Sequence, residues 1–74
     1  MKLCKELLGV KVKIKKLNMP ASERSRLIAL GIDEGVCITL ENLSIFGSSM
    51  LVRVDNLRVV MRSELASRIE VENV

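Results

Sequence analysis

Apolar and polar residues alternate along five short segments of the chain, which is the pattern of β-strands with one buried and one solvated face. The alternation is clearest near the start, where Val12 and Ile14 are interleaved with lysines. We expect the apolar side chains of these segments to share one core, and they are Val10, Val12, Ile14, Val36, Ile38, Leu40, Met50, Val52, Val54, Leu57, Val59, Met61, Ile69 and Val71.

Between the first two segments the apolar period changes to that of a helix. Leu27, Ile28 and Leu30 form the apolar stripe of this segment. Pro20 is suited to a first helical turn, and Gly31 is suited to the position just after the last one. The sequence therefore predicts an α-helix over about 21–30.

Shorter apolar groups predict single helical turns at residues 3–8 and 62–66, and Asp55-Asn56 is suited to a tight turn. Five short strands with one inserted helix favour a strongly bent sheet that closes on itself. We therefore predict a mainly β fold, a small SH3-like five-stranded barrel with one inserted α-helix and short helical turns. An OB-type barrel is the main alternative.

Length and composition restrict the chemistry of the chain. Its 74 residues and 8.3 kDa correspond to a single domain over residues 1–74. It has no histidine, tryptophan or tyrosine and only one phenylalanine, so the commonest general base and the commonest metal ligand are missing. The acidic residues Glu23, Glu64 and Glu70 have no paired nucleophile. We predict a non-enzyme that uses no cofactor.

The cysteines and acidic turns do not predict a metal site. Cys4 and Cys37 form no C-x-x-C pair, and reduced cytosolic thiols are the favoured interpretation over a disulfide. Asp33-Glu34 is interpreted as a solvated turn. The longest charge-free stretch, residues 42–52, has eleven residues and is too short to cross a bilayer. We expect a cytoplasmic protein that reaches a membrane only through a partner.

The net charge of +3 is unevenly distributed. Residues 1–26 carry eight basic and two acidic side chains, whereas residues 27–74 carry four basic and seven acidic ones. Such a basic segment either faces an acidic partner or phosphate surface, or is simply a solvated face.

Several spaced motifs together resemble those of one known family. Leu7 with Gly9 precedes the basic strand. The last part of the predicted helix and the turn after it form a motif over residues 24–32, and Gly35 follows shortly. A loop glycine, Gly47, comes later, and the closing pattern consists of Arg62, Glu64, Ala66 and Ile69. In order and spacing these residues resemble the ferrous iron transport protein A (FeoA) family over nearly the whole chain.

The resemblance implies an SH3-like barrel in the bacterial cytosol. It also implies a non-enzymatic accessory protein that contacts the cytoplasmic GTPase region of the membrane ferrous iron permease FeoB and modulates transport.

The candidate partner-binding residues are two apolar side chains beside a loop glycine and five basic ones: Ile45, Phe46, Lys11, Lys13, Lys15, Arg24 and Arg26. Exposed apolar residues would act as anchors, and the basic residues would steer association. Three alternatives stay open: Ile45 and Phe46 plug one end of the barrel, the three lysines bind nucleic acid, or the chain forms a homodimer.

Overall fold

A computed structural model describes residues 1–74. After a 3-10 turn at Lys5–Leu7, the helices and strands follow one another as β1 (Lys11–Leu17), α1 (Ala21–Ala29), β2 (Cys37–Leu43), β3 (Ser49–Val54), β4 (Leu57–Arg62), α2 (Ser63–Ala66) and β5 (Ile69–Asn73). All five predicted strands are present, and the inserted helix lies where the periodicity places it.

The strands form one antiparallel sheet in the order β4-β3-β2-β1-β5. The prediction of a mainly β, SH3-like fold is confirmed, with β4 and β5 as the two end strands. The predicted Asp55-Asn56 turn joins β3 to β4, with Val54 paired to Leu57 and Asp55 at a φ of 53°.

Two β-bulges interrupt the simple alternation of inward and outward side chains. Lys15 is the extra residue between Ile14 and Lys16 in β1. Glu41 is the extra residue of β2. A bulge bends its strand and increases the local twist, so these two positions help the sheet to curve around its core.

The core contains fifteen buried residues, and none of them is polar. Most come from the inward positions of the five strands, with Leu3, Leu27, Ile32 and Ala66 added from outside the sheet. Four predicted core residues are not among the fifteen: Val36 and Val59 are half-buried and pack against the core, whereas Val10 and Leu57 are each 43% exposed. Val10 precedes β1, and Leu57 opens the end strand β4 directly after a turn, so each has packing on one side only.

Helix α1 ends in a Schellman motif, and its buried apolar stripe is narrower than predicted. The Gly31 amide donates to the Ile28 carbonyl at 2.9 Å, and the Ile32 amide donates to the Leu27 carbonyl at 2.9 Å. Gly31 has a φ of 89°, which turns the chain so that Ile32 packs into the core beside Leu27. Ile28 and Leu30 remain largely exposed.

Candidate partner-binding site

Residues 44–48 connect β2 to β3, which begins at Ser49, and they display the two most exposed large apolar side chains of the protein. Ile45 is 94% exposed and Phe46 is 93% exposed. The alternative in which these residues plug one end of the sheet is therefore wrong. Such side chains gain nothing from the folding of their own chain, so they are available to a partner. We call residues 44–49 the Ile45–Phe46 turn.

Hydrogen bonds hold this turn in one conformation. The Gly47 amide donates to the Ser44 carbonyl at 2.9 Å, which closes a β-turn with Ile45 and Phe46 at its two central positions. Gly47 then adopts a φ of 71°. The Ser49 amide donates to the Ser44 hydroxyl at 3.1 Å, and the Ser44 amide donates to the Ser49 carbonyl at 3.0 Å.

The first residue of α2 anchors the turn from its other side. The Ser63 hydroxyl donates to the Gly47 carbonyl, and the Ser63 amide donates to the Ser48 carbonyl at 2.9 Å. Serine hydroxyls therefore form hydrogen bonds with backbone groups of the turn that would otherwise bind water. The two apolar side chains are carried on a preorganised support.

The apolar surface continues from the turn onto the outer face of the sheet. Val60 is 70% exposed and lies opposite Leu51 in the β3–β4 pair. Leu43, Met50, Leu51 and Val60 line a shallow groove of about 180 Å³ next to the turn. Val60 was not among the binding residues predicted from the sequence. The available signal was an apolar residue at the outward position of β4, between Arg58 and Arg62.

The three candidate lysines lie on the outer side of β1, and we call this surface the lysine face. Lys11 and Lys13 occupy outward strand positions, and Lys15 is exposed at the bulge. The neighbouring strand β5 carries acidic residues on the same side. In the register of the two strands, Glu72 lies opposite Lys13 and Glu70 lies opposite the adjacent Lys16. These carboxylates reduce the positive potential that phosphates would meet.

The sheet separates the lysine face from the Ile45–Phe46 turn. Lys11 pairs with Thr39 and Lys13 with Cys37, near the start of β2, whereas the turn follows the end of that strand. At about 3.4 Å per residue, the five steps from Thr39 to Ser44 span about 17 Å. The candidate residues therefore form two surfaces and not one continuous patch.

The two candidate arginines of α1 have different surroundings. Arg24 and Arg26 are both exposed, but only Arg26 lines the cleft between α1 and α2. Arg62, at the end of β4, and Arg68, the residue before β5, line the same cleft. These three arginines were not predicted to lie together, because Arg26 is far from Arg62 and Arg68 in the chain and only the fold brings them to one cleft.

The two thiols are free, and Glu6 shifts the pKa of one of them. A side-chain hydrogen bond to Glu6 raises the pKa of Cys4 above its ordinary value of 9.0, and partial desolvation adds to the increase. The same contact lowers the pKa of Glu6 below its ordinary value of 4.5. Nowhere do three Cys, Asp or Glu side chains gather closely enough to hold a metal ion.

The whole chain matches one known protein family. The model of the FeoA domain matches residues 1–73. This chain belongs to the FeoA family. None of the curated proteins matches the sequence.

Solved FeoA structures share the fold. An FeoA protein from Chlorobium tepidum is 23% identical with a TM-score of 0.93, over 100% of this chain and 70% of that one. Iron(II) transport protein A from Clostridium thermocellum is 28% identical with a TM-score of 0.90, over 100% of this chain and 46% of that one. An iron uptake regulatory protein (FeoA) is 20% identical with a TM-score of 0.75, over 88% of this chain and 84% of that one.

Neither helix of this FeoA-family chain has the length and apolar character needed to cross a bilayer. Its distinctive surface feature is the Ile45–Phe46 turn, which no charged side chain covers.

Proposed function

We propose that this FeoA-family protein acts in ferrous iron transport as a cytoplasmic, non-enzymatic accessory that docks on the cytoplasmic GTPase region of the FeoB permease. Family membership and the likeness to iron transport and iron uptake proteins support the role in transport. One observation carries the docking step, which is the exposure of Ile45 and Phe46 on a braced turn.

The energetics favour such a turn as a binding anchor. A few buried aromatic and aliphatic side chains provide most of the affinity in protein interfaces. Association also costs free energy when a flexible loop must become ordered. Because Ser44, Gly47 and Ser63 already hold the turn, a partner with an apolar pocket meets Ile45 and Phe46 in a fixed arrangement.

The basic residues have a different role in this proposal. Lys11, Lys13, Lys15, Arg24 and Arg26 are all solvent-exposed. Charges of this kind mainly accelerate encounter with an acidic surface and make it sensitive to salt, while they change the dissociation rate little. FeoB is therefore held by the turn and attracted by the lysines and arginines.

The proposal is tested by calorimetric titration of the parent chain with the cognate cytoplasmic FeoB domain. The domain is loaded with GDP in one series and with a non-hydrolysable GTP analogue in the other, both at low ionic strength. We expect saturable binding in at least one nucleotide state. Absence of binding in both states would count decisively against docking on this region of FeoB.

Sedimentation of the chain alone across a concentration series tests the alternative that the chain forms a homodimer. We expect a monomer, because the turn is reserved for the heterologous partner. A homodimer that dissociates when FeoB is added would still agree with docking through the turn. A homodimer that persists in the complex would mean that another surface joins the two copies.

A further inference from the structure

Helices α1 and α2 border a partly enclosed cleft of about 380 Å³ whose walls are unusually rich in arginine. Arg26 comes from α1, Arg62 from the last position of β4, and Arg68 from the residue before β5. Glu23 and Glu64 also line the cleft. Three arginines from three separate parts of the fold therefore line one small volume, which we call the arginine cleft.

The ion pairing within the arginine cleft is incomplete. Arg68 lies 3.5 Å from Glu64, measured from Nη2 to Oε1. Arg26 and Arg62 have no carboxylate within 4.0 Å, whereas Arg53 and Arg58 on the outer face of the sheet share Glu41. Three arginines and two glutamates leave the cleft lining with one excess positive charge.

We propose that the arginine cleft receives an acidic side chain of a protein partner. Guanidinium groups present planar pairs of N–H donors that match a carboxylate, and such charge-assisted bonds are short and directional. One carboxylate neutralises the single excess charge. A nucleotide triphosphate would bring several negative charges against Glu23 and Glu64, so the charge balance favours the carboxylate.

Continuity with the Ile45–Phe46 turn indicates that the carboxylate belongs to a protein. Ser63, which hydrogen-bonds the turn through Gly47 and Ser48, lies in the chain between the cleft residues Arg62 and Glu64. A partner that covers the turn therefore extends naturally towards the cleft. This inference rests on the proposed function, since it assigns a second contact to the same docked partner.

A peptide titration followed by NMR tests the cleft without FeoB. The probe is a capped Gly-Glu-Gly peptide with a single carboxylate, added to the full isotope-labelled chain at low ionic strength, and the readout is the shift of the arginine Nε–Hε signals. We expect the largest shifts at Arg26 and Arg62. Both Arg62→Gln and Arg26→Gln should weaken binding by about threefold or more, and they provide two independent variants if one folds poorly.

The matched control is Arg58→Gln, which removes the same charge outside the cleft while Glu41 keeps its contact with Arg53. It should leave the peptide affinity unchanged. Equal weakening by Arg58→Gln, or the largest shifts at Lys11 and Lys13, would reduce the effect to general attraction and overturn the proposal. Equal binding of a capped Gly-Gln-Gly peptide would overturn it as well.

Three further outcomes separate the possible failures. Tighter binding of inorganic phosphate or GTP than of the glutamate peptide, at the same arginine signals, would reassign the cleft to a free oxyanion. If the peptide binds the cleft but the FeoB domain does not bind the chain, docking on FeoB fails and the cleft assignment stands. If FeoB binds and Arg62→Gln leaves both titrations unchanged, only the cleft assignment fails.

Discussion

The lysine face and the Ile45–Phe46 turn are the two surfaces that the sequence marks for binding, and the fold treats them in opposite ways. On the lysine face, β5 places Glu72 opposite Lys13 and Glu70 opposite Lys16. At the turn, Ile45 and Phe46 are over nine-tenths exposed, and the surrounding hydrogen bonds involve only backbone groups and serine hydroxyls.

The difference between the two surfaces shows that an exposed side chain points to a partner only when its neighbours do not already offset its charge or cover its apolar surface. Charges on adjacent strands cancel part of each other's field, and a cross-strand pair of opposite sign is an ordinary stabilising contact of a sheet. A neighbouring side chain cannot offset the exposure of an apolar side chain in the same way, because only burial removes the apolar surface from water. The uncovered apolar turn is therefore the stronger indication of a partner.

The largest effect is expected for Phe46→Ala. Loss of a central aromatic anchor typically costs about 2 kcal/mol, so affinity for the cytoplasmic FeoB domain should fall by about 30-fold. The melting temperature should stay the same, since Phe46 is 93% exposed in the free protein. Calorimetric titration measures the first quantity and thermal unfolding the second.

Leu57→Ala is the control for this experiment. Leu57 is an exposed apolar residue at the other end of the β3–β4 hairpin from the turn, and its removal should leave FeoB affinity unchanged. If Phe46→Ala and Leu57→Ala weaken binding equally, the turn has no special role and the comparison between the two surfaces loses its basis.

The second effect concerns the lysine face and is expected for the double variant Glu70→Gln, Glu72→Gln. If these carboxylates screen two lysines, their removal should steepen the slope of log affinity against log salt for duplex DNA by about 1.8. Mobility shifts over a fourfold range of salt measure this slope. Over that range, an extra slope of about 1.8 means that the double variant gains about tenfold more affinity than the parent does when salt is lowered. A slope that is already steep in the parent chain would support nucleic-acid binding by Lys11, Lys13 and Lys15.

Gly47→Ala should have an intermediate effect on both stability and binding. Gly47 has a φ of 71°, and an added Cβ would meet no atom within 4 Å, so the substitution tests backbone strain alone. We expect a loss of about 1 kcal/mol in the free energy of unfolding, measured with urea. FeoB affinity should fall by about fivefold as the turn loses its preorganisation.

An unchanged affinity in a destabilised Gly47→Ala protein would contradict the importance of preorganisation. Ser48→Ala is the matched control within the turn, because its hydroxyl makes only a 3.4 Å contact with the Ser44 hydroxyl. Its effect on both measurements should be small.

Lys13→Glu should alter the rate of FeoB association more than the strength of the complex. Reversal of one exposed charge is expected to slow association by about threefold at low salt and to have little effect at high salt. Stopped-flow mixing at several ionic strengths measures this change. A raised dissociation rate with an unchanged association rate would place Lys13 inside the interface and bring the two surfaces together.

The fold was largely predictable from the sequence because its signals are local. Alternation around Val12, Ile38 and Val52 indicates strands, and the Gly31 signal ends α1 within one residue of the observed boundary. The bulges at Lys15 and Glu41 were not predicted, since a bulge depends on the pairing of two strands and not on either strand alone.

The candidate site was only partly predictable, for a related reason. Ile45 and Phe46 stand out because an apolar pair beside a loop glycine is a local signal. Exposure of that pair, by contrast, depends on which elements pack over the loop. The placement of Glu72 opposite Lys13, and of Arg26 and Arg62 in one cleft, depends on contacts between distant segments, which a single sequence does not encode in any local pattern.

The smallest effect concerns Cys4, where one side chain again changes the behaviour of its neighbour. Because its hydrogen bond to Glu6 raises the thiol pKa, Cys4 carries less thiolate near pH 8 than a free thiol does. Glu6→Gln should therefore speed alkylation of Cys4 by iodoacetamide, measured in a Cys37→Ser background. Glu34→Gln, which changes an exposed carboxylate elsewhere, should have no effect.

The pH dependence of this contact follows from the two shifts. The thiol pKa is raised by folding, so the stability it contributes is present below pH 9.0 and is lost as the pH rises through the folded pKa. The Glu6 pKa is lowered, so its contribution is present above pH 4.5 and is lost as the pH falls through the folded value. The rate of alkylation depends on the fraction of Cys4 that is thiolate. The rates of the parent and of Glu6→Gln should therefore converge at high pH, where the thiol is ionised in both proteins. A constant ratio at every pH would instead indicate a change in access to Cys4 and contradict the assigned hydrogen bond.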